Sequence, residues 1–293
     1  MILNKIALRV VAKAIQEKQD LVNFNKSWQR VYEEYAIGLA QGTQLKLSAA
    51  DRAELQALIK LEQGIDLGQT SIDELHAMPR EQALNVAIDE KLAGKAVKYQ
   101  RIAIKSLAKL PLKLNQQAYQ LPASGHIDIS LEQIESVEHR CILMIENYRC
   151  FDQLQRIKLE LPEQYKQPLV LYRGDDYYSQ KTVKLFLQQV NLPVITMMDI
   201  DPAGLVMASS YANTIGMMCI DLVELERLVK AKGNADLYAK QLPVYQQALN
   251  KSTEPVITAL WAILKKHQKG WVQEHYLNLK AELSLFAFTS IKN

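Results

Sequence analysis

The sequence predicts an α/β protein with a mainly parallel sheet, preceded by a mostly helical region. Three observations predict it. Between Cys141 and Leu222, short apolar runs alternate with segments of helical character: CILMIEN, LVLYRGDD, PVITMMDIDPAGL and GMMCIDL. Stretches such as Ile142–Ile145 and Val194–Met198 are apolar or nearly so, as parallel strands buried on both faces should be. The runs also stop on acids: Glu146 follows the first, and Asp199 and Asp201 close the third. Ligands of open α/β sheets bind outside the carboxyl ends of the strands, so three carboxylates from distant segments are expected on one sheet edge.

Length and composition bound this reading. A chain of 293 residues can bury a large core and hold two domains. Its 48% hydrophobic and 23% charged content is ordinary for a soluble globular protein, and a net charge of +3 does not by itself indicate nucleic acid. Cys141, Cys150 and Cys219 form no metal-ligand spacing and suit a reducing cytosol. The five histidines are scattered, so no zinc ligand set is expected. Lys5, Arg9 and Lys13 interrupt the first twenty residues, unlike a secretory signal, and no stretch approaches the roughly 20 apolar residues that span a bilayer. A cytoplasmic protein without membrane contact is expected.

In chain order, Ile2, Ile6, Val10, Val11 and Ile15 recur at helical spacing. A second helix is predicted from Ser27 to Leu39, ending at GLAQG. Ser48 and Asp51 have capping-box spacing before a run with Leu55, Leu58, Ile59 and Leu61. Ser71 and Pro79 mark further helix starts. Then come Lys91, Lys95, Lys98, Arg101, Lys105, Lys109 and Lys113, with no acid before Asp128. On a helix these seven charges share a face and could track DNA phosphates. A solvated face is the alternative, and the loose alternation of Arg101–Leu107 allows a strand that scatters them. The turn-rich stretch Pro111–Ile129 places the domain boundary near Leu131, giving a helical region 1–131 and an α/β region 132–293. Ser130 and Gln133 have capping-box spacing for a short helix entering the first sheet strand. Amphipathic helices follow around Leu225–Lys232, Tyr238–Asn250 and Val256–His267.

The acids fit phosphodiester cleavage, which builds negative charge on the attacking and leaving oxygens and is served by divalent cations. Magnesium prefers hard oxygen ligands and keeps several waters, so two or three carboxylates suffice. Asp199 and Asp201, two apart in an extended segment, point to the same side. Asp175 and Asp176 either complete the site or cap the helix starting near Ser179, and Asp221 has a similar position after the fourth run.

Glu146 after one apolar run and Asp199-Ile200-Asp201-Pro202-Ala203-Gly204 after another resemble a Toprim domain, the Rossmann-like metal-binding fold of type IA and II topoisomerases, primases and several nucleases. DIDPAGLVMASSYANTIG is similar to the version in topoisomerase VI A subunits. IENYRCF resembles JetD, the nuclease subunit of the condensin-like Wadjet anti-plasmid systems. The resemblance covers about residues 141–222 and implies a magnesium- or manganese-dependent DNA endonuclease. It assigns catalysis and metal binding to Glu146, Asp199 and Asp201, with Glu146 holding a second metal or acting as general base. Glu274 in WVQEHYL matches a Gln-Glu pair near the end of JetD-like chains. Implied partners are double-stranded DNA, a condensin-like SMC and kleisin complex, and a second copy of the chain. The Arg-x-x-Tyr-Tyr motif bearing the topoisomerase VI tyrosine does not occur here. Its nearest imitation, Tyr32 and Tyr35 in QRVYEEYA, reads as packing, which leaves water as the nucleophile. A tyrosine transesterase, or a DNA-binding scaffold with a degenerate site, are the alternatives.

Overall fold

Asn25 and Ser48 punctuate the first of two units, residues 1–97, into its helices. The computed structural model describes residues 3, 5–69, 71, 73–74, 100–175, 177–279 and 281–289. In this first unit α1 (Lys5–Gln16), β1 (Leu21–Asn23), α2 (Lys26–Tyr35), β2 (Leu39–Gln41), β3 (Gln44–Lys46) and α3 (Ala49–Gln63) follow in order. Asn25 accepts from the Ser27 and Trp28 amides and so starts α2. The predicted capping box of α3 forms in both directions: Asp51 N–H to Ser48 Oγ at 3.1 Å, Ser48 N–H to Asp51 Oδ2 at 2.7 Å.

Two expectations for this unit need correction. The buried stripe of α1 includes Ala7, Leu8, Val11 and Ala14, whereas Ile6 is 74% exposed. Helix α2 ends before Leu39, because Ala36 turns left-handed at φ 56° and the chain then pairs β2 with β3. With β1 these form a three-stranded antiparallel sheet of order β1-β3-β2, whose short, largely polar strands carry little apolar signal. Leu8, Val11, Trp28, Val31, Leu45, Leu55 and Ile59 form its core. The helix read at Pro79, and Lys91, Lys95 and Lys98, lie outside the described residues.

The second unit, residues 98–293, carries the sheet that the apolar runs predict. Its elements are β4 (Arg101–Lys105), β5 (Leu112–Leu114), β6 (Gln117–Tyr119), β7 (Ile127–Ser130), β8 (Ile142–Ile145), α4 (Tyr148–Asp152), β9 (Lys158–Glu160), β10 (Leu169–Tyr172), α5 (Gln180–Val190), β11 (Val194–Met197), α6 (Pro202–Ala208), β12 (Thr214–Cys219), α7 (Leu222–Lys232), α8 (Ala235–Asn250), α9 (Pro255–His267) and β13 (Glu282–Ala287). Eight strands pair in the order β7-β4-β10-β8-β11-β12-β13-β9. The middle four, β10-β8-β11-β12, are parallel throughout. Strand β4 joins β10, β7 joins β4 and β13 joins β12 antiparallel, while β9 pairs parallel with β13, so the sheet is mixed but mostly parallel.

Every residue of β8, β10 and β11 is buried, the property their unbroken apolar runs foretold. Thr196 is the polar exception, and its hydroxyl donates to the Gly216 carbonyl at 3.3 Å. Strands β4 and β7 move the division of the chain to residue 97, ahead of Leu131. Ile102, Ala103 and Ile104 are fully buried, and burying them requires pairing with β10. Ser130 N–H donates to Gln133 Oε1 at 3.4 Å, but the chain then makes only a single 3₁₀ turn, Leu131–Gln133. The three late helices fall where amphipathic spacing put them.

Candidate active site

The parallel strands all end on the same edge, and that edge gathers the acids. Glu146 follows β8, Arg173 follows β10, and Asp199 lies two residues beyond β11. The backbone N–H of Asp199 donates to Glu146 Oε2 at 3.0 Å, and Arg173 approaches Glu146 Oε1 at 3.3 Å. Asp201 caps α6 by accepting from the Gly204 amide at 2.7 Å, with Pro202 filling the first helical position.

A late segment holds the loop after β11 in place. Ile200 and Trp271 exchange two backbone hydrogen bonds, each 2.8 Å. Two residues on, the Gln273 amide donates to Asp199 Oδ1 at 2.8 Å. Its neighbour Glu274 accepts from Asn147 Nδ2 at 3.0 Å, which ties Glu274 to the residue after Glu146. Gln241 of α8 braces the other side: its amide nitrogen donates to Asp201 Oδ2 at 2.9 Å while its oxygen accepts from Ala203 N–H at 2.9 Å.

Glycine is required in this turn by space. A Cβ at Gly204 would stand 2.1 Å from the Asp199 carbonyl oxygen, so no larger residue lets α6 start against that loop.

Burial and crowding shape the charges. The Asp199 carboxyl is pushed up to about 7, first by burial and then by Glu146 and Asp201, against the Gln273 amide. Burial also raises Glu146, with the Asp199 amide and Arg173 opposing. Asp201, only 3% exposed, is raised by burial against the hydrogen bonds from Gly204, Gln241 and Ala203. Tyr211, buried near Arg173 and Glu146, is raised by burial as well. The Nε atom of Arg173 and Oε1 of Gln273 are buried without a hydrogen-bond partner.

The edge therefore brings together Glu146, Asp199, Asp201 and Glu274, as the sequence suggested. Arg173 and Gln241 were missed, although Arg173 had a local signal as the residue at which the LVLY run stops; Gln273 entered only as the first member of the Gln-Glu pair, and Tyr211 only as a tyrosine of the DIDPAGLVMASSYANTIG run. Asp175 stands apart, accepting from the Tyr177 and Tyr178 amides and from the Tyr172 hydroxyl, and it does not cap α5. Asp221 does cap its helix, accepting from Val223 and Glu224.

The donor set is all oxygen, which fits a hard divalent cation. Both Asp201 oxygens already accept hydrogen bonds, and among the described residues no group of three or more His, Cys, Asp or Glu side chains is arranged to hold a metal. Asp199 carries the better fit, because a cation there offsets both its burial and the repulsion from Glu146 and Asp201.

The basic stripe does not survive as one face. Arg101 and Lys105 lie in β4, where Arg101 pairs with Asp128 at 2.6 Å. Lys105 is 1% exposed, donates to the Ala123 and Asp152 carbonyls and lies over the Phe151 ring. It cannot reach a phosphate. Lys109 sits in a left-handed turn after the strand and Lys113 in β5. The alternation of Arg101–Leu107 was the sound signal. Among the described residues no helix is long and apolar enough to cross a membrane.

Residues 99–285 match the model of a family described as a domain of unknown function (DUF7281), a span from the start of β4 into β13. No curated protein matches the chain.

Proposed function

We propose that this chain, which belongs to the DUF7281 family, is a metal-dependent DNA endonuclease with a Toprim-type catalytic unit. One observation carries the reading: Glu146, Asp199 and Asp201 meet beside Arg173 at the carboxyl edge of four parallel strands, with Asp199 held near neutral pKa.

Asp199 would hold magnesium or manganese, with Asp201 and Glu146 beside it. When bound, the cation supplies charge neutralisation at the phosphate and a more acidic water. Glu146, its carboxyl raised toward the working pH by burial, accepts the proton of the attacking water. Arg173, whose side chain stays partly exposed, offers its charge to a phosphate oxygen. One P–O bond forms to water and one ester bond breaks, leaving a phosphate monoester and a hydroxyl. The run IENYRCF extends the proposal to the nuclease subunit of a condensin-like plasmid-defence system. A double-strand break needs two such sites on antiparallel strands, which calls for a dimer.

A non-catalytic DNA-binding scaffold is the second reading. It is favoured by the Arg173–Glu146 pair, which already gives Glu146 a cation. Incubating supercoiled plasmid with the protein, its partner complex and magnesium separates them. Nicked or linear product from wild type, and none from Asp199→Asn or in excess chelator, is expected. Cleavage that persists in chelator, or its absence in the complete complex, overturns the nuclease.

A further inference from the structure

The stretch from Lys230 to Lys269 carries seven lysines against two acids, Asp236 and Glu254, a net charge of +5 in a chain whose total is +3. The whole positive excess of the chain thus sits there, spread along three helices. The fold gathers five of these lysines. Lys230 and Lys232 close α7, Lys265 and Lys266 close α9, and Lys269 follows. The two helix ends are tied together, because Lys269 Nζ donates to the Lys230 carbonyl at 2.9 Å and a Cβ on Gly233 would stand 2.8 Å from the Lys269 Cβ.

This end abuts the acid site. Asn234 and Gly270 exchange two backbone hydrogen bonds, of 2.8 and 2.9 Å, and the next residue, Trp271, is the one bonded to Ile200. A Cβ built on Gly270 would stand 3.0 Å from the Asp201 Cβ. Lys269 is therefore one residue from contact with the loop that carries Asp199 and Asp201.

The charges exceed what the helices use. Lysines in a last turn complement the helix dipole and cap carbonyls, as Lys269 does. Glu226 pairs with Lys266 at 2.6 Å and with His267 at 3.0 Å. Lys230, Lys232 and Lys265 are exposed, and among the described residues none of the three has a carboxylate in ion-pair range; Lys265 lies over the Trp261 ring.

We propose that this lysine cluster holds the phosphate backbone of double-stranded DNA on the flank of the acid site. The inference rests on the nuclease reading above and adds to it the side from which the duplex is held. Carboxylates at the sheet edge repel a phosphate chain, so the substrate needs cations beside them as well as a metal. A duplex carries one charge per roughly 1.7 Å of its axis, and lysines without carboxylate partners take the place of its counterions. A lipid surface would call for apolar side chains among the charges. Here Leu228, Val229, Trp261, Ile263, Leu264 and Trp271 are all buried.

The test is fluorescence anisotropy of the full chain on a labelled duplex over a range of salt, in an Asp199→Asn background so that the DNA is not cut. Lys230→Gln, Lys232→Gln and Lys265→Gln together should flatten the slope of log K against log salt by about two to three, and weaken binding to unrelated sequences alike. Lys158→Gln, Lys181→Gln and Lys184→Gln remove the same charge elsewhere on the second unit and should leave the slope within about one of its starting value. All six lysines are exposed, so both variants should keep the Tm of the background protein. Equal slopes in the two variants overturn the cluster as the DNA surface and leave the nuclease reading standing. Unchanged duplex binding with lost binding to phosphatidylserine vesicles makes it a lipid surface instead. No duplex binding by the background protein at low salt overturns both readings.

Discussion

The backbone N–H of Asp199 donates to the Glu146 carboxylate at 3.0 Å, joining the ends of two neighbouring parallel strands. The same residue's carboxylate accepts from Gln273, so the loop after β11 is held from two sides. Rigid carboxylates facing one another cannot relax apart, which is why burial and repulsion raise Asp199 as far as they do.

That shift fixes how stability depends on pH. Asp199 binds its proton more tightly folded, at about 7, than unfolded, at 3.8. The stabilisation is thus fully present below the unfolded value and is lost as pH rises through the folded one. Each pH unit in this window costs up to about 1.4 kcal/mol. In chelator, the calorimetric Tm should fall between about pH 5 and about pH 8. Asp199→Asn, which can still accept from Gln273, should flatten that slope and raise Tm at the alkaline end. A wild-type Tm that is constant or rises across the window contradicts the assignment.

Cation binding should reverse the same penalty. A ligand that binds only the folded state raises Tm in proportion to its saturation. Magnesium or manganese at alkaline pH should raise the wild-type Tm by a few degrees, whereas calorimetry of Asp199→Asn should register little change. An equal rise in both proteins places the ion elsewhere.

Much of this was legible, for identifiable reasons. Strands β8, β10 and β11 are buried on both faces, so their sequences are apolar without interruption and their ends are marked by Glu146, Arg173 and Asp199. Strand β4 was only half legible: the alternation of Arg101–Leu107 allowed it, but Arg101 and Lys105 bracket its three apolar residues and join a run of lysines. Burial of Lys105 depends on two backbone carbonyls and a phenylalanine ring from distant segments, which no local pattern reveals. Gln241 was equally opaque. It acts through Asp201 in the loop after β11, so its role exists only in the folded chain.

Gly204 gives a steric test of the loop. Alanine there would place its Cβ 2.1 Å from the Asp199 carbonyl oxygen, which is backbone and cannot swing aside. Gly204→Ala should destabilise by about 2–4 kcal/mol in denaturant titrations and move Asp199 out of line with Glu146. Gly42→Ala is the control: nothing lies within 4 Å of its Cβ, and only its φ of +61° opposes the change. That loss should be about 1 kcal/mol. Equal effects at the two positions would mean that the contact at Gly204 relaxes without consequence.

The choice between water and tyrosine as nucleophile turns on Tyr211 more than on the tyrosines the sequence singled out. Tyr32 packs edge-on against Phe24, and the Tyr35 hydroxyl donates to Glu62 at 2.9 Å within the first unit. Tyr35→Phe removes that bond and should cost about 1 kcal/mol without touching cleavage. Tyr211 is the tyrosine beside Arg173 and Glu146, but it is 5% exposed and its hydroxyl is raised above the usual range by burial. Both features oppose attack on phosphorus, because the phenolate is disfavoured and the approach is covered. Tyr211→Phe should therefore keep cleavage, slowed only as far as Arg173 loses its orientation. In heavy-oxygen water, a hydrolytic reaction puts the label on the product phosphate in wild type and Tyr211→Phe alike. Unlabelled product, together with a protein–DNA adduct that survives denaturation and disappears in Tyr211→Phe, would make the tyrosine the nucleophile.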